Sequence, residues 1–297
     1  ETTDSRSSGR PYVATSPEEQ AAFEKLLGLF NLERLDRDLF LGNPGPGKGR
    51  LFGGLVAAQS VLAASLTVED GDLHSFHSYF LRPGRHDSPL RFVVDSIRDG
   101  RTFTTRRVVA MQGGEAIFNI SCSFTKPEAG ISHQDPMPEA PPPDGLEDWE
   151  AIRSRIGGMN TRWRDDAIEL RICDPTDFQP GVASDKPRMQ WMRPRGPVPD
   201  DPRIHLALMV YASDRTLLST AGRRHDLVPG RMNFASLDHA AWFHHPARFD
   251  DWILYVAESP AAHAARGLIH GSMFTKDGKH VTSVTQEGLI RTPRETA

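Results

Sequence analysis

Apolar and polar positions follow two different periods along this chain, and the switch between them occurs twice. FGGLVAAQSVLAASLTV, Phe52 to Val68, is apolar nearly all round, which predicts a buried helix rather than an amphipathic surface one. DDPRIHLALMVYASDRTLLSTA, Asp200 to Ala221, repeats that pattern. Pro202 behind Asp201 marks its start, because proline at the first helical position loses no hydrogen bond. After each helix come segments with strand character, HSFHSYFLRPG in the first half and ASLDHAAWFHHPA in the second. Each half then holds a glycine-bearing hairpin turn, Gly113-Gly114 and Asp277-Gly278.

The two halves therefore share a plan. Between them, Thr125 to Glu150 is crowded with proline and acidic residues, which suits an extended linker and neither strand nor helix interior. The expected organisation is a disordered tail over 1–15, one unit over 16–126, a Pro-rich linker over 127–150 and a second unit over 151–293. The architecture implied is α+β: a helix wrapped by a long antiparallel sheet, twice over.

The halves differ at polar positions. Alternation along TSVTQEGLIR puts Thr282, Val284, Gln286 and Gly288 on one strand face. An amide there needs partners, since burying it unpaired is costly. Aligning Gly114 with Gly278 sets Cys122 opposite Gln286, and aligning the helices sets Gln59 opposite Asp214. Asp214 stands in an otherwise apolar helical segment, where a carboxylate requires hydrogen bonds. Ser236, placed at the start of the strand after that helix, is the third polar residue that a sheet folded around a helix brings to the same region. Each alone has an ordinary structural explanation. Together, and without counterparts in the first half, Asp214, Ser236 and Gln286 are the candidate site.

Composition narrows the function classes. The chain has 297 residues, 38% of them hydrophobic and 25% charged, with formal net charge -4. That balance lacks the basic footprint of a nucleic-acid binder. Cys122 and Cys173 make no metal or disulfide pattern, and the longest apolar run is too short and too interrupted to insert stably in a membrane. No secretory signal or peroxisomal tripeptide is recognisable, so a cytoplasmic protein is expected. GNPGPGKGR, Gly42 to Arg50, mimics a phosphate loop, but Gly49 replaces the magnesium-holding hydroxyl and two prolines remove amides. His239, His244 and His245 lack zinc-ligand spacing, and there is no Gly-x-Ser-x-Gly elbow. No metal or cofactor is expected.

RLFGGLVAAQ, LHSFHSYFLRPG, SLDHAAWFH, the ESP after WILYVA, and TQEGLIR together resemble the type II acyl-CoA thioesterases, from about Leu26 to Arg291. The resemblance implies a double hotdog fold, acyl-CoA as substrate and assembly into a homo-oligomer. It implies Asp214, Ser236 and Gln286 as the catalytic set, with the first half non-catalytic. Thioester hydrolysis needs a positioned water, and Gln286 and Ser236 are expected to hold it with Asp214 orienting it. The chain departs from the family pattern at Leu55, where glutamine is commoner, and altered packing is expected there. Rival readings of the same ligand class are an enoyl-CoA hydratase and a non-catalytic acyl-CoA sensor.

Overall fold

The helix that reads as apolar on every side is buried on every side. In a computed structural model it runs over Gly53–Ser65 (α2), with every residue from Gly54 to Ser65 out of solvent. Its serines are satisfied locally, Ser60 and Ser65 donating to the carbonyls four residues back. Gln59 instead donates to the more distant Leu29 O and Asn43 O at 2.6 and 2.9 Å and keeps its buried Oε1 without a hydrogen-bond partner among the described residues. Leu55, where the family pattern is broken, is buried in the first turn. The structure describes residues 16–156, 167–174, 176–179, 181–226, 232–246 and 248–291. The tail expected over 1–15 lies outside the described residues, as do 157–166 and 292–293 of the second unit.

Before α2 come a surface helix, Pro17–Leu29 (α1), and a hairpin of Glu33–Asp36 (β1) and Leu39–Gly42 (β2). After it come Asp72–Phe80 (β3), Leu90–Asp99 (β4), Phe103–Gln112 (β5) and Glu115–Thr125 (β6). The second half repeats this with Trp149–Ile156 (α3), Ile168–Ile172 (β7), Arg188–Pro194 (β8), Pro202–Ser213 (α4), a 3-10 helix at Leu218–His225, then Asn233–Ser236 (β9), Asp238–Phe243 (β10), Ile253–His263 (β11), Arg266–Thr275 (β12) and His280–Arg291 (β13).

Among the described residues thirteen strands form one sheet, ordered β1-β2-β4-β5-β6-β3-β10-β13-β12-β11-β8-β7, with β9 also pairing β13. The order reads alike outward from the β3–β10 seam, so each half has one topology and the halves are related by a pseudo-twofold. α2 and α4 pack on each other inside, completing the double hotdog. The turns follow their residues: Gly113 and Gly114 have φ of 57° and 85°, and Gly278 has φ of 89°, a region open to glycine at no steric cost.

Two expectations change. The second helix does not run on to Ala221. It stops at Ser213, Asp214 is its C-cap, and Thr216 takes a left-handed φ of 60° before the 3-10 turn begins. A β-branched residue in that conformation is strained by about 1–3 kcal/mol. Partners on β8 hold it: Gln190 Nε2 donates to Thr216 Oγ1 at 2.7 Å, and Arg188 donates to Thr216 O at 3.1 Å. Ser236, secondly, ends the short strand β9 instead of starting a strand. The start of α4 is as read, with Asp201 accepting from Arg203 N.

The proline-rich stretch is laid along the second half. Gln134 donates to Gly278 O and accepts from His280 N, and Trp191 donates to Pro141 O at 2.8 Å. Arg195 joins Glu19 of α1 at 2.7 Å and also bonds Asp148, tying α1 to the second half. A buried ion cluster closes the outer end of that half. Asp177 meets Arg223 at 2.5 Å and Arg188 at 3.6 Å, and Arg223 also reaches Asp174 at 2.9 Å.

Removing one partner from such a cluster strands the other charges. Asp177→Ala is therefore expected to lower unfolding stability by about 3–5 kcal/mol, read from urea denaturation. A loss below about 1 kcal/mol would mean that water reaches the two arginines freely.

Candidate active site

On β13 the alternation read from sequence holds: Thr282, Val284, Gln286 and Gly288 are buried on one face. Gln286 is completely out of solvent. Its amide nitrogen donates to Asp214 Oδ1 at 2.7 Å and to Ser236 Oγ at 3.1 Å. The three residues singled out in the sequence thus converge from the end of α4, the end of β9 and the middle of β13. A carboxylate only accepts, so the nitrogen must face Asp214. That leaves Gln286 Oε1 buried without a hydrogen-bond partner among the described residues. A buried acceptor of this kind is expensive unless a water or ligand donates to it.

Asp214 keeps partial exposure in the single chain, yet its carboxyl is surrounded closely enough that loss of solvation raises its pKa from 3.8 to about 6. Donors from Gln286 and from the Gly54 backbone N–H, with the charge of Arg215, pull the other way and do not offset that loss. Fully buried Tyr255 stands behind it, donating to Ser213 O at 2.8 Å, with its own pKa raised by burial and by the Asp214 charge.

The Gly54 contact changes the standing of the first half. The start of α2 has no side-chain cap, and its positive dipole end meets the end of α4. Both glycines are sterically required. A Cβ on Gly53 would lie 2.6 Å from the Phe80 ring and 2.9 Å from Asp214 Oδ2, and one on Gly54 would lie 2.6 Å from Tyr211 O. The first half therefore supplies one wall of a site that sequence reasoning confined to the second. The signal was present as a Gly-Gly pair opening an apolar helix with no capping side chain.

The opposite end of the helix pair shows what the pseudo-twofold leaves behind. A cavity of about 680 Å³ lies there, lined by Leu73, Phe124, Leu206, Met209 and Phe243 among others. Leu73 pairs with Phe124 where Ser236 pairs with Gly288, and Cys122 replaces Gln286. The amide of Arg203 at that helix start is already taken by Asp201. The cavity lacks the polar trio.

The histidines separate. His239 is buried, 2.9 Å from Ser213 Oγ and stacked on Phe76, and burial lowers its pKa to about 4. His244 is exposed and bonds Ser283. Among the described residues no three His, Cys, Asp or Glu side chains group as a metal site. Beyond Gly42, which ends β2, the segment to Arg50 is irregular, with Asn43 accepting from Gly45 N, and α2 begins only at Gly53.

Comparison with known proteins gives a consistent result. A family model described as acyl-CoA thioesterase matches residues 169–289, and one described as the acyl-CoA thioesterase N-terminal domain matches 43–125. The chain is 38% identical over 281 residues to acyl-coenzyme A thioesterase 8 of Mus musculus, covering 89% of this chain and 88% of that one. It is 33% identical to acyl-CoA thioesterase 2 of Haemophilus influenzae over 276 residues, covering 90% and 96%. The crystal structure of acyl-CoA thioesterase II TesB2 from Mycobacterium marinum superposes with TM-score 0.77 at 40% identity, covering 91% of this chain and 99% of that one.

Two outcomes follow from the geometry. Gly53→Ala should cost about 1–3 kcal/mol through overpacking against Phe80 and Asp214, read as a lowered urea midpoint. The unfolded chain releases the Asp214 proton near 3.8 and the folded protein near 6, so the native state binds more protons between them and stability falls as pH rises through that window. Asp214→Asn should accordingly gain stability relative to the parent between about pH 3.5 and about pH 7.5. An unchanged difference across that range would show that the carboxyl titrates normally.

Proposed function

The chain belongs to the acyl-CoA thioesterase family and is a thioester hydrolase, and from that premise we propose that it cleaves fatty acyl-CoA with a water held by Gln286 and Ser236 and deprotonated by Asp214. The unpartnered, fully buried Gln286 Oε1 carries this reading. An acceptor there suits one hydrogen of a water, while the Ser236 hydroxyl, 3.1 Å from the same amide, holds its other side.

A pKa of about 6 equips Asp214 for its part. The group is ionised at neutral pH, yet basic enough to take a proton from an attacking water. The water adds to the thioester carbonyl and its proton passes to Asp214. Collapse of the tetrahedral intermediate breaks the carbon–sulfur bond, and the departing thiolate recovers that proton, giving the fatty acid and free coenzyme A. The dipole end and amides at the start of α2 stabilise the oxyanion, so 16–126 forms a wall for chemistry carried by 151–293. Gln286 also holds the Asp214 carboxylate by its N–H, which keeps the base from rising further in pKa. Exposed Tyr79 and Trp242 on the outer face of the seam support assembly into a homo-oligomer.

A panel of acyl-CoAs assayed for free thiol tests the reaction. Asp214→Ala and Gln286→Ala should each lower kcat by about 10²-fold or more, and Ser236→Ala by about tenfold, with folding retained. Parent-like turnover in the first two would refute the assignment. The pH profile of kcat/KM should rise through about 6 and level off above it. Gln286→Leu, which removes a donor to the carboxylate, should move that inflection upward. Loss of a 2-enoyl-CoA chromophore without thiol release would indicate a hydratase instead, and binding without turnover a sensor.

A further inference from the structure

Ser236 and His239 both point inward: Ser236 meets Gln286, and His239 is buried against Ser213. Side chains three residues apart on a regular strand face opposite sides. The register explains the exception. Ser236 pairs with Gly288 on β9, whereas Ala240 pairs with Thr285 on β10. Four steps on one strand thus match three on the other, which is a β-bulge at Leu237–His239 opposite Gln286. Without it, Ser236 would face away from Gln286.

The bulge disturbs the backbone hydrogen bonds, and their accounting identifies what holds it. Leu237 N donates to Glu287 O at 2.9 Å, as in an ordinary antiparallel pair. The return bond is missing, because the Leu237 carbonyl is turned to the other neighbour and accepts from Phe80 N at 2.9 Å. The Glu287 N–H would be left without a ladder partner. Asp238 Oδ1 accepts it instead, at 2.6 Å. A side-chain carboxylate stands in for the absent carbonyl, two residues after Ser236 and at the peptide that follows Gln286.

The first half has the same irregularity between Leu73 and Ser75. There His74 bonds Ser123 Oγ, and Ser75 stands where Asp238 stands in the second half. The carboxylate clamp thus occurs beside the polar trio and not beside its apolar mirror.

We propose that Asp238 is a positioning residue: its carboxylate clamps the β9–β10 bulge to β13 through the Glu287 amide and so keeps Ser236 and Gln286 on one face. The inference rests on the catalytic reading of that pair. Asp238 touches no reacting atom and acts through Ser236.

The test is a double-mutant cycle in the full chain, assayed by thiol release. Asp238→Ala should lower kcat by about 5- to 10-fold, no more than Ser236→Ala itself, with KM within about twofold, since a misplaced water-holding group costs no more than its removal. Asp238→Asn, which keeps an acceptor oxygen, should retain kcat within about threefold of the parent. In a Ser236→Ala background, Asp238→Ala should cost less than about twofold more, because the group it positions is gone. Amide exchange at Glu287 should accelerate in Asp238→Ala and stay slow in Asp238→Asn. A full, additive loss in the Ser236→Ala background would overturn the proposal, as would equal losses in the alanine and asparagine variants, or unchanged Glu287 exchange. If Asp238→Ala does not fold, the asparagine variant decides alone: a tenfold loss at parental stability refutes the clamp. Parental activity in Ser236→Ala would refute the catalytic reading itself, whereas an impaired Ser236→Ala beside a fully active Asp238→Ala would refute only the clamp.

Discussion

One carboxylate makes demands on nearly everything around it. Asp214 sits where loss of hydration raises its pKa to about 6, so it must be met by donors. Those donors come from both halves of the chain: the Gly54 N–H at the start of α2 and the Gln286 amide in the middle of β13. Their approach dictates further choices. Gly53 and Gly54 can carry no side chain. The helix must end at Ser213 so that Asp214 leaves the helical ladder, and Thr216 accepts a left-handed conformation under bonds from Gln190 and Arg188. A local electrostatic requirement thus reaches two strands and a helix away.

The same requirement costs stability. A carboxylate held near neutrality, a strained threonine and an amide oxygen without a partner are each unfavourable in the folded state. The rest of the fold offsets them with large, dry packing. Phe23, Phe40, Phe76, Phe92, Phe118 and Phe249 are all nearly or wholly out of solvent, each contributing about 1.5–3 kcal/mol. The polar trio is confined to one end of the helix pair, and the other end keeps a cavity lined by Leu73 and Phe124 and has its helix start capped by Asp201.

Doubling the fold makes that division possible. A symmetric pair of units would present two equivalent ends, each needing a glycine pair, an acid and an amide. In one chain the two ends can diverge. The bulge beside the seam survives in both halves, which shows the backbone plan to be shared, whereas the residues that exploit it differ: Asp238 against Ser75, Gln286 against Cys122, Ser236 against Leu73.

What the sequence by itself determined is what short-range physics writes into it. The alternation of β13 exposed the inward Gln286, because side-chain period on a strand is two. Asp201-Pro202 marked a helix start, and Gly113-Gly114 and Gly278 marked hairpins, because capping and φ > 0 are local needs. The repeat disclosed the doubled plan, and the polar differences between the halves singled out Asp214, Ser236 and Gln286. Only the tertiary structure decided the break after Ser213, since the bonds that hold Thr216 come from β8, more than twenty residues upstream. It alone placed Ser236 at the end of β9 and turned it inward, because a bulge is defined against the partner strand and leaves no period of its own. It alone brought Gly54 to Asp214, a contact between helix ends whose nearness follows from how α2 and α4 pack within the closed sheet.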